Sequence, residues 1–184
     1  MRRDTLFGLS IVGLLIAGKA FASFGAPGWN SGPWQGETGL PDTNTTPAHS
    51  GPSIASKVAA FLAMIRRYES GGDYSILNGG AHFASFADHP GVIVPPGTST
   101  AAGAYQITYG TWQDFAPAAG VSDFSPASQD AVAYAILGWT GAVDALDAGD
   151  VETAIRMASK KWTALKNNPT ASLLAAYNDG IAFA

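Results

Sequence analysis

Apolar positions recur at helical spacing from residue 53 onward. Ile54, Val58, Phe61, Leu62 and Ile65 fall at i, i+4, i+7, i+8 and i+11, one continuous stripe that predicts a helix over Ser53–Ser70. Glu69 is the next position on that stripe. Asn78-Gly79 between apolar flanks then signals a hairpin with a type I′ turn. Val92 to Thr100 continues as loop and edge strand, because Pro95 and Pro96 exclude a central one. Beyond Gly103 the period returns to helical: a short segment Tyr105–Phe115 ends near Pro117, and Ser125-Pro126 opens a helix to about Leu137. Asp150 can cap a helix through Leu165 with Ile155, Ala158 and Trp162 on one face, and Thr170 can cap a last one that stops at Gly180. The sum is an α+β fold, mostly helical, with one small hairpin after the first long helix.

The chain ahead of residue 53 differs from the rest. Arg2 and Arg3 lead an apolar run from Leu6 to Ala17, and Ala20-Phe21-Ala22 has the form of a cleavage site. As a helix, the run reaches only about 18 Å, short of a hydrocarbon core of about 30 Å. Residues 1–22 are therefore expected to be a signal peptide, with a retained signal anchor as the rival that Lys19 favours. Residues 23–52 shift to Gly, Pro, Ser, Thr and Asn without a period and read as a flexible linker. Trp29 and Trp34 within it either dock onto the domain, contact a glycan or are incidental. Residues 53–184 form the domain.

Composition narrows the class. Hydrophobic residues make up 47% of the 184 and charged ones 13%, as in globular proteins. The net charge of −4 falls to −6 once residues 1–22 are removed, which argues against a nucleic-acid partner. No cysteine is present, so disulfides and thiolate sites drop out. His49, His82 and His89 lack ligand spacing, so neither metal nor cofactor is expected.

Glu69 is the candidate for chemistry. Of the three glutamates, at 37, 69 and 152, it alone stands where a helix turns toward a core. Burial and the negative end of the helix dipole both raise a carboxyl's pKa. A carboxyl protonated near neutral pH, where Gly71 and Gly72 let the chain turn away into a cleft, suits a general acid. The alternative is a frayed last turn with Glu69 in water.

Three segments then carry a resemblance. Glu69-Ser70, the loop Ser99–Ile107 with its G-x-x-Q-I core, and Ala176-Tyr177-Asn178 resemble the three motifs of lysozyme-like lytic transglycosylases. The likeness is closest to lambda-type phage endolysins, through A-F-L-x-M-I before the glutamate, D-H-P at 88–90, S-T-x-A-G-x-Y-Q at 99–106 and D-F-S-P-x-S-Q-D-A-V-A at 123–133. It covers roughly residues 60–165.

The resemblance implies a lysozyme-like domain that cleaves the β-1,4 bond between N-acetylmuramic acid and N-acetylglucosamine of peptidoglycan strands. Glu69 would be sole general acid and base, and the product a 1,6-anhydro sugar. A hydrolytic muramidase and a non-catalytic wall-binding or assembly domain are the alternatives. By matched position, Gly103 would let the backbone approach the sugar, Tyr105 would offer a stacking face and Gln106 an amide. Tyr177 would bring a hydroxyl near the glutamate, and Ser70 would place the sugar or cap the helix. Asp73 reads as a turn residue, and Asp88-His89-Pro90 as a loop-fixing pair. The Leu-Met that often precedes the glutamine in bacterial enzymes is Ala104-Tyr105 here, whereas the A-Y-N segment follows the bacterial type. The implied location is exported, in periplasm or wall. Membrane contact would come only through uncleaved residues 1–22, and a virion or secretion assembly is a candidate partner for the 23–52 arm.

Overall fold

Seven helices and a small bridged loop region follow one another along residues 51–182, the part of the chain that this computed structural model describes. The expected signal segment and most of the linker lie outside it. Helix α1, Ile54–Ser70, begins where the Ser53 hydroxyl accepts the Ser56 N–H at 3.1 Å. It ends at Gly71, whose φ of 69° a side chain would resist. The predicted stripe is buried from Val58 onward, while Ile54 is exposed. Ala60 and Met64 are buried too, because α7, Thr170–Ala182, packs along α1's other flank. Burying Phe61, Met64 and Ile65 contributes about 1.5–3 kcal/mol each.

Gly180 is where the two helices cross. It does not stop α7 as expected: a Cβ there would stand 3.0 Å from the Cα and Cβ of Ala60, so the glycine permits close packing.

The hairpin exists, reduced to isolated antiparallel bridges: Ile76 with His82, Leu77 with Ala102, and Ala102 with Ile107. Gly79 has φ of 108° but Asn78 keeps the ordinary negative sign, so the turn follows a type II rather than a type I′ pattern. No edge strand forms after Gly91, and Val92 and Ile93 are exposed on a loop.

Helix α2, Tyr109–Ala119, starts later than expected and runs through Pro117. Residues 105–107 are taken up by the bridged loop, and Thr108 caps the helix by accepting the Thr111 N–H at 3.3 Å. Pro117 is tolerated because the Gln113 carbonyl that loses its donor lies on an exposed residue. Helix α3, Pro126–Thr140, has the expected Ser125 cap. The sequence did not announce α4, Ala142–Asp147, which follows after a single glycine.

The helix expected from 150 to 165 is broken. Helix α5, Val151–Ala158, stops short, and α6, Ala164–Asn167, resumes after a turn. Ile155, Ala158 and Trp162 are all buried as expected, but the Trp162 indole N–H donates to the Tyr105 carbonyl at 3.0 Å. That turn places the start of α6 against the end of α1. Among the described residues, no helix is long and apolar enough to cross a membrane.

Candidate active site

Glu69 sits half-buried in the last turn of α1, and its carboxylate Oε1 accepts the Ala164 N–H at 3.0 Å. Burial raises its pKa above the ordinary carboxyl value, and the Ala164 hydrogen bond partly opposes this. The bond to α6 holds the end of the side chain in one place. The break between α5 and α6 is what exposes that backbone N–H, since within a continuous helix it would have bonded internally.

The loop 102–107 stands beside this helix end. Ala102 and Ile107 exchange backbone hydrogen bonds at 3.0 Å each and close a four-residue turn. Ser70 joins the two pieces: its hydroxyl reaches the Ala104 carbonyl at 2.8 Å and the Arg66 carbonyl at 3.2 Å, and accepts the Gly72 N–H at 3.1 Å. It therefore caps the helix and fixes the loop.

The structure gives Gly103 and Tyr105 reasons different from those expected. Gly103 has φ of 74°, and a Cβ there would overlap the Gln129 amide, so the glycine makes room for a protein side chain. Tyr105 is fully buried and offers no stacking face. Its hydroxyl donates to Asp130 at 2.6 Å, and Asp130 also accepts from the Tyr74 hydroxyl at 2.8 Å and the Arg66 guanidinium at 3.1 Å. Burial and the Asp130 charge push the Tyr74 phenol up to about 12 and Tyr105 higher still. Both phenols thus stay neutral donors, locking α1 to the loop and to α3.

Gln106 is the loop's outward-facing member. It is half-buried beside Thr111, Lys161 and Trp162 on the wall of a small open pocket, and its amide N–H donates to the Gly103 carbonyl at 3.0 Å. Among the described non-glycine residues it alone has a positive φ, 47°. Backbone in this sparsely populated region is strained and persists only where its surroundings over-determine it. Gln106→Gly should therefore leave stability within about 0.5 kcal/mol, the relief of strain offsetting the lost side chain. The peptidoglycan cleavage that the resemblance implies should fall by about tenfold or more. Thermal melts and turbidity assays on one preparation would separate the two effects.

Tyr177 is buried on α7 with its ring edge-on to Phe61, centroids 6.2 Å apart. Phe61 lies two turns before Glu69, about 12 Å along the helix. The Tyr177 hydroxyl makes no hydrogen bond to the carboxyl.

The neighbouring acids are engaged elsewhere. Asp73 accepts from the Ser75 N–H and hydroxyl, both at 2.8 Å, and lies 2.7 Å from His82 Nε2, an arrangement that lowers its pKa. His89 is buried, its Nε2–H donating to the Ile107 carbonyl at 2.8 Å and its Nδ1 accepting the Gly91 N–H at 3.0 Å. It anchors the 102–107 loop from below, as a loop-fixing residue would. Among the described residues, no three His, Cys, Asp or Glu side chains converge as metal ligands.

Four groups support the site in ways the sequence did not reveal: Gln129, Asp130, Trp162 and the Ala164 N–H. Gln129 and Asp130 stand inside the 123–133 motif, and a glutamine amid an apolar helix was the available signal.

An acid at the end of a central helix, a bridged loop beside it and helices packed around both define a lysozyme-like α+β domain. Residues 59–179 match the endolysin family, and the chain belongs to it. The endolysin of Escherichia phage lambda is 39% identical over 95 residues, 50% of this chain and 60% of that protein. The endolysin of Escherichia phage P2 is 34% identical over 91 residues, 45% of this chain and 55% of that one. The matches thus span somewhat over half the length of these relatives. Bacteriophage lambda lysozyme complexed with a chitohexasaccharide superposes with a TM-score of 0.60 at 31% identity, covering 68% of this chain and 94% of that one. A second structure of lysozyme from bacteriophage lambda gives 0.57 at 32% identity, over 69% and 90%.

Proposed function

We propose that this chain degrades peptidoglycan as a lytic transglycosylase, with Glu69 as its only acid and base. The observation that carries the reading is the half-buried Glu69 carboxyl, raised by burial and held by a backbone N–H at the end of α1. The protonated carboxyl donates to the glycosidic oxygen, and positive charge develops at C1 of N-acetylmuramic acid. The resulting carboxylate takes the proton of that sugar's C6 hydroxyl as its oxygen bonds to C1. A 1,6-anhydro ring closes, no water is consumed, and Glu69 ends protonated as it began. Such a cycle needs one carboxyl with a raised pKa and no nucleophilic partner. The engagement of both Asp73 oxygens, one by Ser75 in its own turn and the other by His82, is in keeping with this.

Membership of the endolysin family and the oligosaccharide complex of the similar lambda lysozyme support a glycan strand as substrate. In this reading Gln106 contacts an N-acetyl or hydroxyl group, while Ser70, Gly103 and Tyr105 position the loop that carries it. Residues 1–22 export the domain or anchor it, and residues 23–52 tether it near the wall or to an assembly.

Mass spectrometry of products released from purified peptidoglycan tests the chemistry. Anhydro-muramyl ends are expected. Reducing ends would mean that water attacks and that the enzyme is a muramidase, which requires a second carboxylate across the cleft.

A further inference from the structure

The pocket wall that carries Gln106 continues outward through Lys161 onto an aromatic pair, exposed Trp139 and half-buried Phe115. Trp139 on α3 is 65% exposed, a large apolar surface for a side chain that contributes little to the core. It is nonetheless built in: Phe115 on α2 meets it edge-on with centroids 5.9 Å apart, and the Lys161 ammonium lies 4.8 Å from its ring centre and 5.5 Å from that of Phe115. Two residues from two other segments therefore hold the indole in place while most of it stays open to solvent.

Charge is distributed in the same sense. The chain is acidic, yet residues 153–178 contain Arg156, Lys160, Lys161 and Lys166 and no acidic residue. All four are exposed, and none has a carboxylate partner among the described residues. A neutral glycan would gain nothing from them, whereas a strand bearing carboxylates would.

We infer that Trp139, Phe115 and Lys161 form an outlying subsite for peptide-bearing glycan: a pyranose ring stacks on the free face of Trp139 while Lys161 meets a carboxylate of the attached peptide. This rests on the glycan-cleaving function proposed above and adds to it a selection for peptide-substituted strands. The aromatic platform contributes affinity irrespective of substitution, and the ammonium contributes the discrimination.

The test uses the full chain carrying Glu69→Gln, so that bound strands stay intact. Two probes are titrated: purified glycan strands with their peptides, and the same strands stripped by an amidase. Trp139→Ala should weaken binding of both about tenfold, equivalent to about 1.4 kcal/mol. Lys161→Met should weaken only the peptide-bearing strands, about fivefold, with the difference shrinking as salt rises and Lys161→Arg restoring it. Because both side chains are on the surface, melting temperatures should match the parent and exclude unfolding. Unchanged affinity in Trp139→Ala, or equal affinity of the parent for the two probes, would overturn the inference and leave the catalytic reading standing. Capture of the parent but not of Trp139→Ala by anionic phospholipid vesicles, with strand binding unaltered, would make the face a membrane contact and overturn it as well. If the Glu69→Gln chain bound neither strand, the glycan-cleaving function would fall together with the subsite.

Discussion

Glu69→Gln is expected to reduce wall lysis by about 10²–10⁴-fold, the usual contribution of a positioned general acid and base. The amide fills the same volume, and its oxygen can still accept the Ala164 N–H that fixes the carboxylate at 3.0 Å. Activity is thus lost without loss of structure, which a thermal melt verifies. The melt should in fact favour the variant. Burial holds the folded carboxyl above its unfolded pKa, so the stabilising contribution of its protonation is fully present below the unfolded value and is lost as pH rises through the folded one. Glutamine carries no such dependence. The gap in melting temperature, in favour of Glu69→Gln, should therefore widen from acid toward neutral pH. The same titration sets the parent's pH profile: kcat/KM falls on the alkaline side as the proton needed by the leaving group is lost. A variant that lyses walls at the parent rate would remove Glu69 from the chemistry altogether.

How this residue could be found in the sequence, when its supports could not, follows from the range of the forces involved. The stripe from Ile54 to Ile65 is local, and it placed Glu69 on the inward face within one residue of the observed helix end. Ser125 and Pro126 announced α3 for the same reason. The break between α5 and α6 was invisible because its cause lies 57 residues away: the Trp162 indole bonds to the Tyr105 carbonyl, and this tertiary bond overrides a helical pattern intact through residue 165. The Ala164 N–H that meets Glu69 exists as a free donor only because of that break. Motif positions, likewise, marked which residues matter but not what they do. Gly103 and Tyr105 match a loop expected to touch sugar, yet both are buried, and of that trio Gln106 alone is partly exposed.

The largest effect on stability is expected at Gln129, which no periodicity singled out. Its side chain is fully buried, and it makes three hydrogen bonds to backbone: Oε1 accepts the Ala104 N–H at 2.9 Å, while Nε2 donates to the Phe124 carbonyl at 2.8 Å and the Tyr74 carbonyl at 3.0 Å. One residue of α3 thus ties together the site loop, the chain leaving α1 and the segment before α3 itself. Gln129→Leu preserves the volume and adds apolar surface, but it strands one donor and two acceptors out of reach of water. Each buried orphan costs about 1–3 kcal/mol, so a loss of about 3–5 kcal/mol is expected after partial relaxation, against about 1 kcal/mol regained from the leucine. For a domain of this size that is a fall of about 10–20 °C in melting temperature. Gln129→Glu separates the geometry from the chemistry. At low pH its protonated carboxyl can still accept from Ala104 and donate to one carbonyl. At neutral pH it must bury a charge facing two carbonyl oxygens, so its stability should collapse as pH rises. Denaturant titrations of both variants at two pH values would test this. If Gln129→Leu melted with the parent, the amide would not be what holds the 103–106 loop, and the close fit of Gly103 against it would need another cause.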